Sequence, residues 1–380
     1  MKMISVVGAR PNFMKIAPLC RELAKHPEVK HLLVHTGQHY DVRMSDSFFI
    51  DLGIPEPDTH LNIGSGSHAE QVGRTMIEFE KVVKAEKPDW IVVVGDVNAT
   101  CACSITAKKE HVKLAHIEAG LRSGDIGMPE EVNRLVTDRL ADLLLTPDRI
   151  SSENLRKEGV PEFRIVFVGN IMIDTLEAQR AKAAARTPEE IVRRELLLKQ
   201  DIPALPENGF AVMTMHRPSN VDRIETLEPL IGFLTGEVAA DMPLLWPIHP
   251  RAWKQLETFG LLEKVRRTVI LMNPLGYHDM LRLNMGAKLM LTDSGGLQEE
   301  CCVLGTPCLT LRWNTERPVT LKEYGGASIL VGNSVEKIRA AYRETLKTDR
   351  LPQRPELWDG HTAERIVDAL LLCPKAAVRQ

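Results

Sequence analysis

The sequence predicts an α/β protein built as two parallel sheets, each covered by helices on both faces. Short β-branched runs recur along the chain and end in Gly, Asp, Glu or His clusters, with an amphipathic, helix-like stretch after each. At roughly 150 residues per domain, a chain of 380 residues holds two such units. In the first half the runs lie at residues 4–7, 32–35, 91–94, 114–117 and 164–168. In the second they lie at 210–215, 244–248, 269–272, 288–291, 308–311 and 328–331.

Between the runs, one helix can be followed from Pro129, where Val132, Leu135, Val136, Leu140, Leu143 and Leu144 recur at spacings of three and four and give one apolar face. Pro129 suits a first turn because its missing N–H leaves nothing unsatisfied there. Glu130 and Glu131 suit the positive end of the helix dipole, so helix-start chemistry alone accounts for both. Residues 177–206 are expected to form a long helix followed by a proline-rich connection, which puts the domain boundary between Gly169 and Pro206.

Composition narrows the function. With 48 Lys+Arg against 51 Asp+Glu and a net charge of -3, the chain lacks the concentrated basic surface that nucleic-acid binding needs. Aromatic residues make up 5%, too few for stacking platforms. The seven cysteines form no C-x-x-C pair, and no apolar run approaches the roughly 18 residues of a membrane span. The N-terminus lacks a signal-peptide core, so a cytoplasmic protein with reduced thiols is expected.

In open parallel sheets ligands bind beyond the carboxyl ends of the strands. The polar clusters at those ends are Gly8 to Lys15, Gly95-Asp96, Glu118 to Asp125, His216-Arg217 and Thr292 to Glu300. Ser294-Gly295-Gly296 reads equally as an anion cradle at a helix N-terminus or as a plain tight turn with an N-cap. Glu300 suits ribose hydroxyls, or else a solvated helix face. Other constellations fail on context. Gly64-Ser65-Gly66 is no dinucleotide fingerprint, His35 and His39 lack a third metal ligand, and Cys101 and Cys103 suit helix packing. Neither a metal nor a cofactor is expected.

Taken in order, Gly8-Ala9-Arg10-Pro11 with Lys15, Gly95-Asp96, His116 to Arg122, Pro129 to Arg134, His216-Arg217, Asp293 to Glu300 and Thr315-Glu316-Arg317-Pro318 resemble the non-hydrolysing UDP-N-acetylglucosamine 2-epimerases over nearly the whole chain. The resemblance implies the glycosyltransferase-B architecture, two Rossmann-like domains with the nucleotide sugar in the cleft between them. It implies a first domain at 1–175, a second at 176–360, and a C-terminal helix and tail at 361–380 packing back on the first. Carried over by position, the catalytic carboxylates fall on Asp96, Glu118 and Glu130, with Glu131 as the adjacent alternative. Arg10, Lys15 and His216 fall around the diphosphate and sugar; Ser294, Gly295, Gly296 and Glu300 on the nucleotide; and Arg134, His249 and Arg317 are further substrate-binding candidates. The implied reaction is anti elimination of UDP to 2-acetamidoglucal and re-addition with the proton on the opposite face. A homodimer is also implied.

The chain departs from the bacterial pattern after the second strand. Gln38 and His39 remain and Arg74 matches a further contact of an effector site, but Tyr40 and Asp41 replace a cation–acid pair. The variant also resembles relatives acting on diacetamido uronic acid nucleotides. Met280 stands where an aromatic is usual near the uracil, leaving Tyr277 as the nearest ring. A hydrolysing epimerase, a glycosyltransferase and a nucleotide-sugar sensor are the competing readings.

Overall fold

A computed structural model of the chain describes residues 1–37, 49, 51–198 and 201–373. The chain divides into two compact units, Met1–Ala178 together with the segment from Glu356 onward, and Gln179–Pro355.

The first unit holds β1 (Lys2–Val7), β2 (Lys30–His35), β3 (Thr59–His60), β4 (Trp90–Val94), β5 (Lys113–Ile117), β6 (Leu143–Thr146) and β7 (Ile165–Phe167). Their order in the sheet is β3-β2-β1-β4-β5-β6-β7, and every pairing is parallel. Chain direction across the sheet therefore reverses between β1 and β4, the crevice where open sheets bind ligands. The helices are α1 (Arg10–Leu23), α2 (His68–Glu86), α3 (Asn98–Lys109), α4 (Pro129–Leu140), α5 (Arg149–Lys157) and α6 (Ile171–Ala184). All five residues of β4 are buried, as a strand covered on both faces requires. Ile91 and Val93 pack with Phe79 and Val83 of α2 and with Cys103 and Ala107 of α3. Truncating Phe79, which is fully buried, would cost about 3–5 kcal/mol. Helix starts follow local chemistry: Ser67 and Glu70 form a capping box on α2, and Asp148 accepts the Ser151 amide of α5 at 2.7 Å.

The second unit holds β8 (Ala211–Thr214), β9 (Leu244–Pro247), β10 (Ile270–Met272), β11 (Leu289–Thr292), β12 (Cys308–Thr310) and β13 (Ser328–Leu330). These strands lie in the order β10-β9-β8-β11-β12-β13, again all parallel, with the reversal between β8 and β11. Its helices are α7 (Pro188–Glu195), α8 (Ile224–Phe233), α9 (Pro250–Thr258), α10 (Tyr277–Gly286), α11 (Gly295–Leu304) and α12 (Val335–Thr345). Helix α13 (Thr362–Leu372) returns to the first unit. There the Asp174 carboxylate accepts the Thr362 and Ala363 amides at 3.0 and 2.7 Å and caps α13.

Three expectations are corrected. Leu143 and Leu144 do not continue the helix: Ala141 turns extended, and the Asp142 carboxylate accepts the Leu114 amide at 2.8 Å. The chain then enters β6, whose four residues are all buried. Leu-Leu-Leu fits either period, and sheet burial decides. Helix α4 also does not bury the expected face, since Glu131, Asn133, Arg134, Thr137 and Asp138 are buried while Val132 is exposed. The long helix from residue 177 is two helices, because Thr187 and Glu190 form a capping box and Pro188 opens α7. Strands β3 and β6 went unseen, the first for its two-residue length.

Candidate functional site

At the carboxyl ends of β1, β4 and β5, one asparagine organises the turn into α1. Asn12 Oδ1 accepts the Gly8 and Ala9 amides at 3.3 and 3.2 Å, and its Nδ2 donates to the Val94 carbonyl at 2.9 Å, tying the β1 loop to the end of β4. Lys15 is buried, and its ammonium pairs with Glu118 Oε2. Glu118 sits in the left-handed region at φ 72°, unusual for a residue with a Cβ and typical of sites that hold strain for function. Gly95, at φ 69°, makes the room: a Cβ there would stand 3.1 Å from Lys15 Nζ and 3.3 Å from Glu118 Oε2.

Asp96 follows at once. Its Oδ2 lies 2.5 Å from Arg134 Nη1, and its carbonyl accepts from Asn133 Nδ2 at 2.8 Å. Arg134 is 2% exposed, and its Nε and Nη2 donate to Glu131 at 2.9 and 2.6 Å. Glu131 further accepts the Ser123 and Gly124 amides, each at 3.0 Å. Burial pushes the Glu131 carboxyl up, but the Ser123 amide and Arg134 outweigh it and hold the group below the usual carboxylate range. Glu131 is thus a tied structural carboxylate, whereas Glu130 beside it is exposed at the start of α4.

In the second unit the corresponding strand ends are those of β8 and β11. Asp293, fully buried, gathers three donors and the His216 ring. Its Oδ2 accepts the His216 and Arg217 amides at 2.9 and 2.8 Å and Asn220 Nδ2 at 3.1 Å, and its Oδ1 lies 2.7 Å from His216 Nδ1. Burial raises the Asp293 carboxyl, but the His216 ring and these amides more than reverse the shift and leave it below its ordinary range. The His216 ring stays half-exposed, with its centroid 5.5 Å from that of His249. His249 in turn caps α9, its Nδ1 accepting the Arg251 amide at 3.1 Å.

Ser294 occupies the N-cap of α11 without a side-chain capping bond, and Ser294, Gly295 and Gly296 are partly exposed. Such a helix start has amides able to meet an anion. Gly295 has a second reason to lack a side chain, since a Cβ would come within 2.6 Å of Arg317 Nη1 and 2.8 Å of Glu316 Oε1. Arg317 is buried there between Glu299, at 2.8 Å, and Glu316. Glu300 is not on a solvated face: it is 4% exposed. Burial pushes its carboxyl up to about 7, with Glu299 adding to the rise and the neighbouring Tyr277 and Asn284 opposing it. Tyr277 is itself buried against this carboxyl.

Sequence reasoning missed Asn12, Asn133, Asp138, Asp293, Glu299 and Glu316. Asn12, Asn133, Asp293, Glu299 and Glu316 lie inside segments singled out in the sequence, Asp293 as a carboxylate directly after a buried strand, whereas Asp138 had no signal. The Arg10 side chain, Gln38, His39, Tyr40 and Asp41 lie outside what the structure describes. Arg74 is exposed and pairs with Glu70 at 3.2 Å. Cys101 and Cys103 are buried, and burial raises both thiols, as packing residues require. Among the described residues no His, Cys, Asp and Glu group could hold a metal, and no helix is long and apolar enough to cross a membrane.

Comparison with known proteins decides the family. The profile of UDP-N-acetylglucosamine 2-epimerase matches residues 21–371. The chain belongs to the UDP-N-acetylglucosamine 2-epimerase family. It is 40% identical to the UDP-N-acetylglucosamine 2-epimerase of Methanocaldococcus jannaschii over 97% of this chain and 99% of that protein. It is 37% identical to the UDP-2,3-diacetamido-2,3-dideoxy-D-glucuronate 2-epimerase of Pseudomonas aeruginosa over 92% of this chain and 94% of the other. The crystal structure of the M. jannaschii epimerase in complex with UDP-GlcNAc and UDP superposes with a TM-score of 0.87 at 39% identity, covering 98% of this chain and 99% of that one. The two parallel sheets are those of the glycosyltransferase-B fold that this epimerase family shares.

Proposed function

We propose that this family member interconverts UDP-N-acetylglucosamine and UDP-N-acetylmannosamine without hydrolysis. The observation that carries the reading is the carboxylate group at the first switch point: Asp96 and Glu118, each fixed by a buried cation, at the ends of adjacent strands. The C2 hydrogen of the sugar is barely acidic. Cleaving the C1–O bond, with its electron pair leaving on UDP, builds positive charge beside C2. A carboxylate then takes the C2 proton and the C1=C2 bond of 2-acetamidoglucal forms. Return of the UDP oxygen to C1, with a proton delivered to the other face of C2, completes the inversion. Asp96, Glu118 and Glu130 are the groups for proton transfer and for stabilising the cationic sugar. Lys15, Arg10 and His216 act on the developing negative charge of UDP.

In the second unit the α11 amides at Ser294 to Gly296 receive phosphate, and Glu300 takes the ribose hydroxyls. His249 orients the neighbouring His216 face. Arg134 and Arg317, both buried in ion pairs, act as positioning residues: the first sets Asp96 and the second backs Gly295. The 40% identity to a UDP-N-acetylglucosamine 2-epimerase favours N-acetylglucosamine over the diacetamido uronate. The test is to incubate the protein with each nucleotide sugar and identify products by NMR and mass spectrometry. UDP-N-acetylmannosamine at equilibrium with substrate supports the reading. Free N-acetylmannosamine with equimolar UDP would replace it with a hydrolysing enzyme, and turnover of the uronate alone with the uronate epimerase.

A further inference from the structure

Glu118 and Asp96 follow different strands, yet both of their loops are tied to one carboxylate on α4. His116, on β5, is completely buried. Its Nε2 lies 2.9 Å from the Gly95 carbonyl and its Nδ1 2.6 Å from Asp138 Oδ1. A carbonyl oxygen and a carboxylate are both acceptors, so both ring nitrogens donate. The other oxygen, Asp138 Oδ2, accepts the Gly120 amide at 3.0 Å and Arg122 Nη1 at 2.7 Å. Arg122 is locked from outside by Glu158, Nε and Nη2 each donating at 2.7 Å. Gly95 adjoins Asp96 and Gly120 follows Glu118 by two residues. The backbone of both loops is left-handed at Gly95, Glu118 and Gly120, with φ of 69°, 72° and 82°. Gly120 has no alternative, because a Cβ would stand 2.3 Å from the Ser151 carbonyl oxygen.

We propose that His116 and Asp138 form a positioning relay: through the Gly95 carbonyl and the Gly120 amide, one buried carboxylate on α4 sets the spacing of the Asp96 and Glu118 side chains. The same helix grips Asp96 directly through Arg134 and Asn133 and carries Glu130 at its start. This explains why α4 buries polar residues and leaves Val132 in solvent. The three carboxylates are referenced to one rigid element rather than to three loops, and a buried, fully satisfied polar network holds that geometry more tightly than apolar packing would. The inference rests on the reading that Asp96 and Glu118 act on the sugar.

Two substitutions split the relay, because an Asn amide replaces Nδ1 and a Gln amide replaces Nε2. His116→Gln keeps the donor to Gly95, whereas His116→Asn keeps the donor to Asp138 and frees the Gly95 carbonyl. The relay predicts that His116→Asn lowers kcat by about 30-fold, in line with the penalty for sub-ångström misplacement of reacting groups, while KM for UDP-N-acetylglucosamine changes by less than about threefold. Amide exchange at residues 95–98 should quicken in the same variant. His116→Gln keeps the bond to Gly95 but loses Asp138, so it should hold the slow exchange at 95–98 yet still lower kcat, by less than His116→Asn does. Asp138→Asn supplies the same split, read at the Gly120 amide, should His116→Asn not fold. Wild-type kcat in both His116 variants, or exchange at 95–98 and 118–120 unchanged in both, would overturn the relay and leave His116 as packing. A wild-type protein that fails to epimerise would overturn the functional reading instead, and the exchange comparison would still decide the relay.

Discussion

Replacing Glu300 by Gln tests the buried acid of the second unit through its electrostatics. Glu300 is 4% exposed, and burial raises its carboxyl from 4.5 to about 7. A carboxyl whose folded value is raised holds its proton in the native state after the unfolded chain has lost it. The native state is therefore favoured below about pH 4.5, and that advantage is lost progressively as pH rises towards 7. The interval between 4.5 and about 7, at about 1.4 kcal/mol per pH unit, amounts to about 3 kcal/mol. Gln keeps the neutral shape and can still meet Tyr277 and Asn284, but it does not titrate. The stability of Glu300→Gln relative to wild type should thus improve by about 3 kcal/mol between pH 4.5 and 8. The assay is native-state hydrogen exchange of the β11 and α11 amides in urea, which reports the second unit without assuming that a two-unit chain unfolds in one step. A stability difference that stays constant across that range would refute the buried-acid argument.

Other perturbations follow from the same geometry. Asp96→Asn, Glu118→Gln and Glu130→Gln should each lower kcat by about 100-fold or more, the scale of general acid–base catalysis, while UDP affinity measured by calorimetry stays within a fewfold of wild type. Asp293→Asn removes the charge that orients His216 and should lower kcat/KM by at least about 10-fold in steady-state kinetics. Gly95→Ala forces a Cβ into left-handed backbone at 3.1 Å from Lys15 Nζ; a thermal-stability loss of about 1–2 kcal/mol with a larger fall in kcat is expected. Gly295→Ala, which would meet Arg317 at 2.6 Å, should weaken UDP binding and destabilise by about 1–3 kcal/mol.

The architecture was legible because parallel strands covered on both faces write themselves as continuous apolar runs. The runs at 91–94 and 308–311 needed no structure to be seen. Leu143 to Leu145 were not separable, since three leucines satisfy a helix face and a buried strand alike, and only the turn at Ala141 and the Asp142 bond to Leu114 distinguish them. The polar residues of the candidate site could be placed at strand ends from the sequence, but their partners could not. Nothing in local sequence says that Asp138 reaches His116 across 22 residues, or that Asp293 reaches His216 across 77. The adjacent pair Glu130 and Glu131 could be parted only by burial, which commits Glu131 to Arg134 and the Ser123 loop.

The central claim is that the reaction passes through removal of the C2 proton with UDP released and recaptured. It is tested most directly by running UDP-N-acetylglucosamine to equilibrium in deuterated water and reading C2 by proton NMR and mass spectrometry. One deuterium at C2 in UDP-N-acetylmannosamine is expected, with UDP still attached to the sugar. A UDP-linked mannosamine product that retains its original C2 hydrogen would contradict it.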